Sequence, residues 1–134
     1  MGAWDIGPFD NDDASDWLAD LEDTGDFSLI QDALRIITEM DDEDYIEAGD
    51  GNIAIAAAEI VAALHGNPNA DLPENAQTWV EEFEDVDAGP LISSARAALK
   101  RLRANSEVKQ QWEESGDLKR WLAQMTDLDK RLAA

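Results

Sequence analysis

The sequence predicts an all-α fold: a single compact bundle of six or seven helices with an extended N-terminal arm. Three observations carry this expectation. Apolar residues return at helical spacing in segment after segment, beginning with Ala14, Trp17, Leu18 and Leu21. No segment alternates long enough to make a convincing strand. The run IAIAAAEIVAAL at 53–64 is apolar nearly all round, which marks a helix at the centre of a fold rather than on its surface. A chain of 134 residues suggests one domain, spanning 1–134, and is long enough to bury an independent core.

Residues 1–10 read as the arm. Trp4, Ile6 and Phe9 supply apolar anchors, and Gly7-Pro8 supplies a turn. Two large rings at a chain end are best used by plugging grooves between helices, which makes the terminus structural. Asp10 or Asn11 then caps helix one, with Asp12 and Asp13 in its first turn complementing the dipole. Thr24-Gly25-Asp26 ends that helix and caps helix two, about 27–40. Its apolar face is wide: Phe27, Ile30, Leu34 and Ile37 form one row, and Leu29, Ala33, Ile36 and Met40 a second. An acidic loop is expected at 41–51. Asp50 or Asn52 then caps helix three, about 52–64, which His65-Gly66 stops.

A loop at 65–72 follows, and Pro73 opens helix four with Ala76, Trp79, Val80 and Phe83 inward. Asp87 caps helix five, about 89–104, built on Leu91, Ala95, Ala98 and Leu102. Ser106 caps a short helix carrying Val108 and Trp112 and closed by Gly116. The last helix, about 117–132, stacks Leu118, Trp121, Leu122, Met125, Leu128 and Leu132. No repeat of 20–50 residues stands out.

The pattern MGAW-x-x-G-x-F-x-NDxAxDWLxxL resembles the start of a bacterial family of unknown function, the domain of unknown function 4259, whose members open Met-Gly-Ala/Thr-Trp-Gly. Asp5 stands here where the family has Gly. The Ala-rich helix at 56–64 and the Trp-Glu-Glu-Ser-Gly segment at 112–116 carry the same resemblance, which covers essentially the whole chain. It implies a single cytoplasmic helical domain. It implies no activity, substrate or cofactor.

Charge is the strongest functional signal. The chain holds 31 acidic residues against ten basic, for a formal net of −21. The split is uneven: residues 1–95 hold 25 acids and one base, Arg35, whereas residues 96–134 hold nine bases and six acids. Such a lobe repels nucleic-acid phosphates and anionic membrane surfaces, so neither is an expected partner. A basic partner protein or a divalent cation is what it permits. The absence of cysteine removes disulfides, thiolate metal sites and a thiol nucleophile. No apolar run approaches the ~20 residues of a membrane span, and the N-terminus lacks a basic segment followed by an apolar run. A cytoplasmic location is expected.

The motifs fail as catalytic or cofactor signatures. An EF-hand loop begun at Asp10 puts Ala14, Ser15 and Leu21 at positions 5, 6 and 12; one begun at Asp41 puts Tyr45, Ile46 and Asn52 there. GDGNIA at 49–54 mimics a dinucleotide-binding turn but lacks a preceding strand, and no Gly-Lys pair exists for a P-loop. His65, the single histidine, has no second ligand a helical turn away and fits a helix C-terminus. Lys100, Arg101 and Arg103 suit the end of helix five for the same reason. No catalytic, cofactor or metal residue is therefore expected.

Glu59 is the informative acid. A carboxylate set among Ile55, Ala56, Ala62 and Ala63 is expected to be buried with donors, drawn from the Trp4 indole, the arm's amides, Arg96 or Lys100. Trp4, Phe9, Asn11, Trp17 and Glu59 are the expected structural residues. Three functional readings follow in rank. First is an interaction protein that docks a basic partner, of inhibitor or immunity type in its sharpest form, through Asp12, Asp13, Asp16, Asp20, Asp41, Asp42, Glu43 and Asp44. Second is a domain whose charge serves solubility. Third is an enzyme with a pocket carboxylate, Glu59, and an acid from 41–50.

Overall fold

The Ala-rich segment places one helix in contact with all the others. The computed structural model describes residues 7–41, 43–83 and 87–134. Its helices are α1 (Asp12–Glu22), α2 (Ser28–Thr38), α3 (Ala48–Leu64), α4 (Glu74–Glu81), α5 (Gly89–Ala104), α6 (Glu107–Ser115) and α7 (Leu118–Ala133). α3 packs against each of the other six. From Ala54 to Leu64 every residue of α3 is buried. Alanine suits this place twice over: it costs least to hold in a helix, and its small side chain lets neighbours approach on all sides. The larger Ile55, Ile60, Val61 and Leu64 fill the gaps, each contributing about 1.5–3 kcal/mol by leaving water. None of the described helices is long and apolar enough to cross a membrane.

The surrounding helices bury the stripes their spacing predicts. Ala14, Trp17, Leu18 and Leu21 face inward from α1. Leu91, Ala95, Ala98 and Leu102 do so from α5, and Trp121, Met125, Leu128 and Leu132 from α7. Asn11 caps α1, its side-chain oxygen accepting the Ala14 N–H at 2.8 Å. Ser106 caps α6 in the same way through the Lys109 N–H. Both α3 and α6 end on a glycine at positive φ, Gly66 and Gly116, in a conformation that non-glycine residues adopt at a cost. In each case two amide N–H groups turn back to satisfy the last carbonyls: Asn67 to Ala62 and Gly66 to Ala63, Asp117 to Trp112 and Gly116 to Glu113. Phe9 is half-buried against the core, whereas Trp4 and Ile6 lie outside the described residues.

Four expectations need correction. The acidic loop expected at 41–51 ends at Glu47, because α3 starts at Ala48 rather than near Asn52. Its first N–H groups are not capped by Asp50. The Glu107 carboxylate of α6 accepts the Ala48 N–H at 2.7 Å, so the cap comes from another helix. The expected two-row face of α2 is narrower: Ile30, Ala33, Leu34 and Ile37 are buried, but Ile36 is 46% exposed. Asp87 does accept the Gly89 N–H at 2.9 Å, yet Ala88 occupies the cap position of α5.

Candidate functional site

Asp12, Asp13, Asp16 and Asp20 project from the side of α1 opposite its apolar stripe, and all four are exposed. The spacing does this: 12, 16 and 20 repeat every fourth residue, one above the other on a helix. Among the described residues none of the four forms an ion pair. Asp12 and Asp13 sit where the helix dipole favours them. Asp20 and Glu22 sit where it does not, and α1 has no basic residue in its last turn. Charge density on this helix therefore exceeds what helix stability asks for. Asp13 lies beside the start of α3, its carboxylate 3.7 Å from where a Cβ on Gly49 would stand.

Segment 41–47 carries the second group of acids, and it is held by its backbone. Arg101 Nη2 donates to the carbonyls of Asp41 at 3.0 Å and Asp44 at 2.7 Å. Nη1 donates to the Asn105 carbonyl. Asp44 folds back to accept the Asp41 N–H at 2.9 Å, and the fully buried Ile46 accepts the Glu107 N–H through its carbonyl. Asp41, Glu43 and Asp44 remain exposed at the surface, and Asp42 lies outside the described residues. Glu22 at the end of α1, Glu74, Asn75, Thr78 and Trp79 of α4, and Glu82 just after it line an open cleft of about 530 Å³. Sequence spacing did not single out this cleft, because it needs α1 and α4 side by side. Among the described residues no three His, Asp or Glu side chains are placed to hold a metal ion.

The Glu59 site is of a different kind. Its side chain is 1% exposed, and Arg131 of α7 grips it with two bonds, Nη2 to Oε1 at 2.7 Å and Nη1 to Oε2 at 3.3 Å. Arg131 also donates to the Asn67 carbonyl and to Asp127, while the Asn67 side chain donates to the Arg131 carbonyl. Burial pushes the Glu59 carboxyl above its ordinary range; Arg131 and the Asn69 side chain pull it back, and the Asp127 charge adds to the rise. The donors expected from the sequence are thus corrected. Arg96 pairs instead with Asp129 at 3.0 Å, Lys100 lies on a groove beside Met40, and the Trp4 indole lies outside the described residues. His65 Nε2 lies 2.6 Å from the Ala134 main-chain oxygen. A carboxylate sealed from solvent and clasped by a guanidinium is built to hold α7 on α3.

The sequence model of one family spans nearly all of this architecture, matching residues 2–124. The chain belongs to the DUF4259 family, described as a domain of unknown function. No curated protein and no solved structure matches it. In this DUF4259 member the Glu59–Arg131 clasp extends beyond the matched segment, since Arg131 lies past residue 124. The acidic residues of α1 and of segment 41–47 lie within it.

Proposed function

We propose that this DUF4259 protein is an interaction module that docks a basic partner protein on its acidic surface. The observation that supports the reading is that Asp12, Asp13, Asp16 and Asp20 are all exposed and, among the described residues, form no ion pair. Arg35, the single base among the first 95 residues, spends its charge on Asp32 and Glu39 of its own helix. Arg96 is taken by Asp129, and Arg131 by Glu59 and Asp127. Arg101 binds the main-chain carbonyls of Asp41 and Asp44 among its contacts, and the Glu43 side chain is exposed. A surface of this kind steers a cationic partner from a distance and accelerates its association. In its sharpest form the module is an inhibitor or immunity protein that presents carboxylates to a nucleic-acid-binding protein. A cytoplasmic site of action suits the cysteine-free chain.

Co-purification from the native host tests this. A basic partner, with an association rate that falls steeply between low and physiological salt, supports the reading. Recovery of no basic protein, or association indifferent to salt, rejects it.

A further inference from the structure

Where the end of α2 meets the C-terminal half of α5, the surface holds a groove of about 340 Å³ whose walls carry no carboxylate. That contrasts with the 31 acids of the chain, and with the cleft lined by Glu22, Glu74 and Glu82. Ile37, Met40, Ala97 and Ala104 give the groove an apolar lining, and its charged walls are both cationic. Arg101 donates its guanidinium to main-chain carbonyls. Lys100 is exposed and makes no hydrogen bond or ion pair among the described residues. Helix stability does not account for it. The dipole acts within the last turn, which in α5 already holds Arg101 and Arg103, and Lys100 stands before that turn.

The walls define the ligand. An apolar lining favours a hydrocarbon body, and an ammonium at its edge favours one anionic group beside that body. The volume lies at the lower end of the roughly 300–1,000 Å³ that small molecules occupy. Net charge limits how many anionic groups the ligand carries. A chain of −21 repels an acidic protein, an acidic peptide and a second copy of itself. A single carboxylate meets little of that repulsion, because salt screens exposed charges beyond about 8 Å. The lysine stem lies along apolar surface while its ammonium stays in water, so the charge reaches a head group at the groove's mouth.

We infer that this groove binds a small amphiphilic carboxylate, its head group paired with Lys100 and its saturated tail lying along Ile37, Met40, Ala97 and Ala104. The site does not depend on the acidic docking surface, which wants a ligand of the opposite charge.

Octanoate titrated into the full chain at fixed salt, followed by methyl NMR, tests this. The Ile37, Met40, Ala97 and Ala104 methyl signals are expected to shift and saturate. Each methylene half-buried in the open groove is expected to tighten binding about twofold from hexanoate to octanoate. Octanol, with the same tail and no charge, is expected to bind about threefold more weakly. Lys100→Gln, on an exposed position of α5, is expected to abolish that difference and to leave octanol binding unchanged. Equal binding of octanoate and octanol to the native protein, or a difference that survives Lys100→Gln, overturns the inference. Shifts that never saturate, or that spread over apolar residues outside the groove, mean an adventitious additive only, and the inference falls. Groove signals that move with protein concentration alone assign the groove to a second copy. An octaglutamate peptide that displaces octanoate at a lower concentration than octanoate itself requires assigns it to an acidic partner. Either result replaces the small carboxylate and overturns the inference.

Discussion

Glu59 and Arg131 stand 72 positions apart in sequence and 2.7 Å apart at their nearest atoms. Their bond fastens the last helix to the central one at its C-terminal end, where Asn67 adds two further bonds to the same arginine. Removing one partner of such a pair is far worse than removing both, because the survivor stays buried without compensation. Arg131→Met is expected to cost about 3–5 kcal/mol in denaturant unfolding. The double replacement Glu59→Leu with Arg131→Met recovers most of that loss. A single variant as stable as the native protein contradicts the assignment.

The same pair sets a pH dependence. The Glu59 carboxyl titrates above its ordinary value near 4.5 in the folded protein, chiefly because burial disfavours its charge. In the window between that value and the raised one, the folded state binds more protons than the unfolded state. Stability from this group is therefore full below the window and is lost as pH rises through it. Glu59→Gln removes this contribution. The difference in unfolding free energy between the two proteins, measured from pH 4 to 8, is expected to change in that direction and then level off. A constant difference across the range refutes the assignment.

Local pattern made most of the fold legible. The stripe Ala14, Trp17, Leu18 and Leu21 is buried as its spacing requires, and Asn11 and Ser106 cap the helices they precede. What escaped the sequence depends on groups brought together by folding. The start of α3 at Ala48 is set by Glu107, 59 residues away, so no neighbour of Ala48 announces it. Arg131 lies between Leu128 and Leu132, beside the apolar stripe of α7, and only the docking of that helix turns it toward Glu59. The apolar Ile36 sits on the water-facing edge of α2, a place periodicity alone does not distinguish from the core.

Asp20 offers a separation of stability from function. It lies in the last turn of α1, where the dipole favours a cation and none is present. Asp20→Lys is expected to raise Tm by about 1–3 °C, through the dipole and through relief of repulsion along the helix. The same change is expected to slow association with the basic partner at low salt, because it inverts one charge on the steering surface. Thermal melts and stopped-flow association rates measure the two effects. A protein made less stable, or a rate left unchanged, argues that Asp20 belongs to the fold and not to the docking face.

Gly51 decides how closely α3 and α6 approach. A Cβ at this position would stand 2.8 Å from Val108 Cγ2 and 3.3 Å from Leu102 Cδ2, both on buried side chains. Alanine gains about 1 kcal/mol over glycine in a helix interior. Overpacking costs about 1–3 kcal/mol, and the branched Val108, rigid at χ1, yields less readily than a long chain end does. The clash outweighs the propensity, so Gly51→Ala is expected to destabilise the protein by about 1–2 kcal/mol. Pairing it with Val108→Ala supplies the missing space, and the two changes together are expected to cost less than their sum in a double-mutant cycle. Strict additivity in that cycle, or a Gly51→Ala protein more stable than its parent, means that the two helices do not meet at this glycine.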